Sequence, residues 1–178
     1  MVTFTALKKF VDNPHYSEQR QKALRQLDIS TIDAPIIELI DSFSNLPYCF
    51  TLQSCYGHFL HDHQRDPQNF KPLPVSESLT HVEYRIAYIA LCLQDSDPGR
   101  ELFRDLKEIL AIDPEYIQFG CAEWFWKRQV NSYALQVEPK RHMRRDKISV
   151  SYQEALHVEK IRDEFFRGLE KIIQQRAH

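Results

Sequence analysis

Glycine is scarce in this chain, with four residues among 178, at positions 57, 99, 120 and 168. None belongs to a G-x-G-x-x-G or P-loop pattern, which removes the support for a nucleotide fold built on a glycine-rich phosphate turn. Long apolar runs are also missing, and no stretch approaches the roughly 20 residues that a membrane-spanning helix requires. No membrane association is therefore expected. The four cysteines, Cys49, Cys55, Cys92 and Cys121, form neither a C-x-x-C pair nor a disulfide framework, so reduced thiols are expected. Residues 1–10 lack the basic start and apolar core of a secretory signal, which points to the cytoplasm. A net charge of −2 gives no global attraction for nucleic acid, so any such affinity must come from a local basic patch.

The composition that is present, 43% hydrophobic and 27% charged, is that of a folded protein, and the length suits one domain over residues 1–178. Strong helix formers after Ser17 predict a helix in "SEQRQKALRQLD", and Asp33 with Pro35 opens a second in "APIIELIDSFSNL". "YCFTLQSC", residues 48–55, alternates as a strand does, while residues 60–80 hold three prolines and read as a long loop. "THVEYRIAYIALCLQ" reads as one central strand with a wet end at Glu83 and Arg85. Asp97 and Pro98 begin a helix whose Leu102, Phe103, Leu106, Ile109 and Leu110 share a face. "YIQFGCAEWFWKR" and "SYALQVEP" read as two further strands, and Ser151 with Glu154 forms an S-x-x-E box opening a last helix. Its expected buried stripe is Val158, Ile161, Phe165, Leu169 and Ile172. The fold class is α/β, a single domain with a mixed sheet of about four to six strands covered by helices and no glycine-rich Rossmann fingerprint.

"QSCYGHFLHDH", residues 53–63, concentrates the chemistry. Cys55, His58, His61 and His63 with Asp62 and Asp66 are chemically able to hold zinc, yet their spacing fits one face of neither a strand nor a helix. No metal site is expected. Gly57 permits a sharp turn that exposes backbone N–H groups and the Ser54 hydroxyl, and Cys55 beside an imidazole is a candidate nucleophile. "KRHMRRDK" gathers Lys140, Arg141, Arg144, Arg145 and Lys147, a cluster able to neutralise phosphates of tRNA or another RNA. Trp124, Phe125 and Trp126 offer stacking surfaces for bases or an adenine ring, with Phe125 expected in the core.

In this order the pieces resemble the wybutosine-synthesis methyltransferase family. "IIELIDSFSNLPYCFTLQSCYGHF" is similar to its helix, strand and serine-cysteine-rich turn, "THVEYR" to its central strand, and "ISVSYQEALHVEKIRDEF" to its final helix opening. Tyr56 and His58 replace the third and fifth residues of the family's serine-cysteine-serine-glycine-arginine turn. Its glycine-glycine-lysine-tryptophan segment has no counterpart between 60 and 80. The resemblance implies methylation of a tricyclic guanosine derivative of tRNA with S-adenosylmethionine as cofactor. It implies Ser54, Cys55, Gly57 and His81 as cofactor contacts and Glu83 as a further residue of the same cleft. His58 or Glu83 would accept the proton released on methylation. A Cys/His metal-binding, hydrolase-like domain and a non-catalytic RNA-binding adaptor are the alternatives, and the sequence sets no oligomeric state.

Overall fold

The computed structural model describes residues 4–142 and 146–177. Five helices and eight strands follow one another as β1 (Phe4–Thr5), α1 (Tyr16–Gln26), α2 (Ile37–Ser44), β2 (Cys49–Cys55), β3 (His58–Leu60), β4 (His81–Arg85) and β5 (Ala87–Leu93), then α3 (Asp97–Glu108), β6 (Ile117–Ala122), α4 (Glu123–Arg128), β7 (Ser132–Val137), β8 (Lys147–Ser151) and α5 (Tyr152–Gln174). The strands form a five-stranded sheet in the order β1-β6-β7-β5-β2 and a three-stranded sheet in the order β3-β4-β8. Every pairing is antiparallel. The α/β class expected from sequence is therefore present, with the strands divided between two sheets.

Helices α3 and α5 start where the sequence signals them. Ser96 accepts a hydrogen bond from the Gly99 N–H at the head of α3, and Ser151 accepts one from the Glu154 N–H at the head of α5. These caps satisfy amide groups that have no partner within their helices. Along α5, Val158, Ile161, Phe165 and Leu169 are buried, and Ile173 rather than Ile172 completes the stripe. These side chains share one core with Ile36, Leu39, Ile40 and Phe43 around α2, Leu102 and Leu106 of α3, and Ile89, Leu91, Tyr133 and Leu135 from the large sheet. The same cluster takes in Tyr84, Val82, Ile148 and Val150 from the small sheet, so one apolar layer underlies both sheets.

The stretch 81–93 does not run as one strand. It breaks at Ile86, and its two halves join different sheets. The Tyr84 side chain is fully buried at the break, where its hydroxyl accepts from the Ala87 N–H at 2.9 Å and donates to the Val137 carbonyl at 2.8 Å. Arg162, 5% exposed on α5, supports the same junction by donating to the Gly57 carbonyl at 3.3 Å and by stacking 4.1 Å from the Tyr56 ring. Gly57 has φ +88°, and a Cβ there would lie 2.9 Å from the Ala87 side chain. A side chain at 57 would therefore be opposed by backbone conformation and by contact with Ala87.

Removing the Tyr84 hydroxyl leaves a buried donor and a buried acceptor without this partner. Tyr84→Phe is expected to lower stability by about 2–3 kcal/mol with an unchanged urea m-value. A loss below about 0.5 kcal/mol would show that the junction is held by packing alone.

Candidate functional site

One face of the large sheet lies under α2, α3 and α5, and the other opens into a cleft. Alternation along β5 and β7 gives Ile89, Leu91, Tyr133 and Leu135 to the helices and leaves Tyr88, Ala134 and Gln136 on the cleft side. Strand β2 reaches the cleft only through an irregularity. Thr51 pairs with Leu91 but Gln53 already pairs with Ala90, so the register shifts between them and Leu52 is extra. This bulge turns Gln53 and Cys55 to the side of Ala90 and Tyr88, whereas an uninterrupted alternation would put Cys55 on the face of Cys49 and Thr51.

The cleft has a volume of about 470 Å³. Phe4, Tyr88 and Phe125 supply aromatic walls, Gln53 and Gln136 supply amides, and Cys55, His58, Arg85, Glu138 and Asp146 supply the charged or titratable groups. Phe4 comes close because β6 carries Gly120 beneath it, where a Cβ would lie 2.7 Å from the Phe4 ring. Glu138 is fully buried and accepts a hydrogen bond of 2.7 Å from the Gln136 amide.

At one end stand Asp33, Cys55 and His58. The Asp33 carboxylate lies 3.3 Å from His58 Nε2 and accepts from the Tyr56 N–H at 2.7 Å. The Cys55 sulfur accepts from the Gly57 N–H at 3.4 Å. Hydrogen bonding to Asp33, then to Cys55, outweighs burial and lifts the His58 pKa to about 10. Burial pushes Asp33 up, but its hydrogen bonds with His58 and Tyr56 outweigh this and leave its carboxyl below the ordinary range. At neutral pH His58 is therefore an imidazolium that donates hydrogen bonds, which does not suit the proton-accepting role expected of it. Its Nδ1 is buried without a hydrogen-bond partner.

The other expected site residues are dispersed. Ser54 pairs with Ile89, away from the cleft lining, and Gly57 lines a separate groove beside Arg162 and residues 69–74. His81 and Glu83 line another depression, with His61, Asp62 and Lys147, on the outer side of the small sheet. They do not reach the main cleft, because His81, Glu83 and Arg85 follow one another along one face of β4 and only Arg85 extends far enough. Glu83 is engaged by Arg85 and Lys147. His61 and His63 face each other with ring centres 6.4 Å apart, away from Cys55, so the Cys/His cluster of the sequence does not assemble.

In the basic segment, Lys140 and Arg141 lie on a short 3-10 turn, Arg141 pairs with Glu154, and Lys147 begins β8. Arg144 and Arg145 lie outside the described residues. Residues 123–128 form a helix rather than the end of a strand, so Phe125 borders the cleft, Trp126 packs on the main core and Trp124 is exposed. Sequence reasoning also missed Asp33, Tyr88, Gln136 and Glu138. The signal for Gln136 was a polar residue between Leu135 and Val137 in a strand; Asp33 read only as a helix opener, and its side chain makes no capping bond in the structure.

No protein-family model matches the chain, and no curated protein matches it. Among solved structures it is similar to two of the PH1069 protein from Pyrococcus horikoshii, the second from strain OT3. Both share 13% identity, with TM-scores of 0.49 and 0.47, over 92% and 93% of this chain and 94% of the other chain in each case. Among the described residues, no helix is long and apolar enough to cross a membrane.

Because the folded-state pKa of His58 is raised, its stabilising contribution is full below the unfolded value of about 6.5 and is lost as pH rises through about 10. The ring resonances of His58 are expected to stay flat from roughly pH 5 to 8. Asp33→Asn should bring the midpoint down toward the ordinary value. A wild-type midpoint near 6.5 would contradict the ion pair.

Proposed function

We propose that the cleft binds S-adenosylmethionine and that the protein transfers its methyl group to a nitrogen of an RNA base. A modified guanosine of tRNA is the acceptor class implied by the resemblance to the wybutosine-synthesis methyltransferases. The reading is carried by one observation: a single cleft combines aromatic walls with facing charges of both signs. Phe4, Tyr88 and Phe125 suit an adenine ring. At the charged end, Arg85 suits a carboxylate and Asp146 suits an ammonium group. The volume falls within the range of small-ligand sites, roughly 300–1,000 Å³.

The cofactor supplies an electrophilic methyl group when bound, so the protein's task is to align an amine and exclude water. No nucleophilic side chain is demanded, and Cys55 serves this reading as a fixed polar wall. The proton released by the acceptor goes to the Asp146 carboxylate or to water, because His58 is already protonated. Gln136 holds the Glu138 carboxylate in one orientation through its amide.

A metal reading has one observation in its favour. Asp33, Cys55 and His58 each offer a ligand atom, all within 4.8 Å of one another. A cation there must displace the His58 proton, which at pH 7 costs on the order of 4 kcal/mol given a pKa of about 10. The purified protein is expected to contain no stoichiometric zinc. One zinc per chain, lost in His58→Ala, would favour the metal reading.

Calorimetry is expected to detect S-adenosylmethionine binding by the wild type, with at least roughly tenfold weaker binding in Phe125→Ala and Arg85→Gln. His81→Ala and Glu83→Gln should leave the affinity unchanged. Radiolabelled methyl transfer to total tRNA tests the reaction itself. Wild-type protein that binds no cofactor would overturn the proposal, and binding without transfer would favour an adaptor.

A further inference from the structure

Methyl transfer between two bound molecules requires two sites that meet, and a second groove adjoins the cleft. It has a volume of about 270 Å³ and is lined by Leu52, Gln53, Trp124, Phe125, Arg128 and Gln129. Gln53 and Phe125 line both spaces, so those two side chains form a common wall. The bulge in β2 produces this wall, because it places Leu52 and Gln53 consecutively beside α4.

We infer that this second groove docks the acceptor base of the RNA, which stacks on the Trp124 indole while the Arg128 guanidinium faces its phosphate; the inference rests on the methyl-transfer reading of the cleft. Trp124 is 48% exposed, and no other tryptophan, tyrosine or phenylalanine among the described residues is as open to solvent. Its neighbours Phe125 and Trp126 are turned inward, so helical geometry at α4 has left this indole outside. The ring is nevertheless held. Phe125 meets it edge-on with ring centres 4.9 Å apart, and Arg128 stacks over it at 3.8 Å while donating to the Trp124 carbonyl.

A fixed, exposed indole next to an arginine is a sequence-tolerant platform for a base and its phosphate. Lys127 and Arg128 give the end of α4 a local positive charge although the chain carries −2 overall, which favours a polyanion over an apolar protein partner. The Gln53 amide offers both a donor and an acceptor to a base edge at the boundary with the cleft.

The test uses the full chain and a short RNA stem-loop hairpin, with S-adenosylmethionine affinity measured in parallel. Trp124→Ala is expected to weaken RNA binding by roughly tenfold or more, while Trp124→Phe retains most of the affinity. Arg128→Gln should weaken binding and reduce the salt slope by about 0.7. Cofactor affinity and far-UV spectrum should be unchanged in all three. Intrinsic fluorescence of the Trp126→Phe variant, which reports Trp124 alone, should be quenched as the hairpin binds.

Wild-type RNA affinity in Trp124→Ala, or no RNA binding by the wild type, would overturn the docking site. So would a dimer in sedimentation that is lost in Trp124→Ala, since the indole would then belong to a contact between copies. RNA binding that depends on Trp124 without any cofactor binding would leave the platform standing and reject the methyl-transfer reading.

Discussion

The Tyr84 hydroxyl is the hinge of this architecture. A continuous strand across residues 81–93 would extend one sheet, whereas the chain breaks at Ile86 and the Tyr84 side chain takes the Ala87 amide that a ladder partner would otherwise hold. Its bond to the Val137 carbonyl fixes β7 at the same point. From there β4 leaves with β3 and β8 as a separate sheet, whose His58 and Arg85, partners across β3 and β4, line the cleft. A fully buried polar junction is costly unless every group in it is paired, which ties the geometry of the cleft to the integrity of this one contact.

A second constraint acts on β2. The bulge at Thr51 to Gln53 inverts which side chains face the cleft, so Cys55 comes to share a face with Tyr88. The turn that follows is compact because Gly57 lies against Ala87, and its backbone N–H groups are spent on holding Cys55 and Asp33 rather than left free. The Asp33–His58 pair is thereby fixed as a charged, internally compensated unit. His58 is therefore a group of settled protonation rather than one poised to exchange protons near neutral pH.

Much of the fold was legible because it rests on local signals. Asp97 with Pro98, Ser151 with Glu154 and the apolar stripes of α3 and α5 announce their helices, and "SYALQVEP" reads as the strand it forms. The failures share a physical cause in long-range contact. Ile86 carries no breaker signal, since the break is made by a tyrosine hydroxyl reaching a distant carbonyl. The three residues of β3 are too few to show a period, and β8 is masked by the basic charges beside it. Residues 123–128 look strand-like from their aromatics, yet they form a helical turn after β6 ends.

The candidate site was legible in part for the same reason. Cys55 and His58 were visible as reactive residue types beside a glycine, but their partner Asp33 lies 25 residues before His58 in a different element. Ser54, His81 and Glu83 were assigned to the cleft by the family resemblance, on strands whose register the sequence does not reveal. Every role proposed for these residues depends on ligand occupancy of the cleft. Amide chemical-shift mapping with S-adenosylhomocysteine tests it most directly. Shifts concentrated at Gln53, Cys55, Tyr88 and Gln136, with His81 and Glu83 unmoved, are the expected result. Shifts confined to the outer face of the small sheet, or none at saturating ligand, would contradict it.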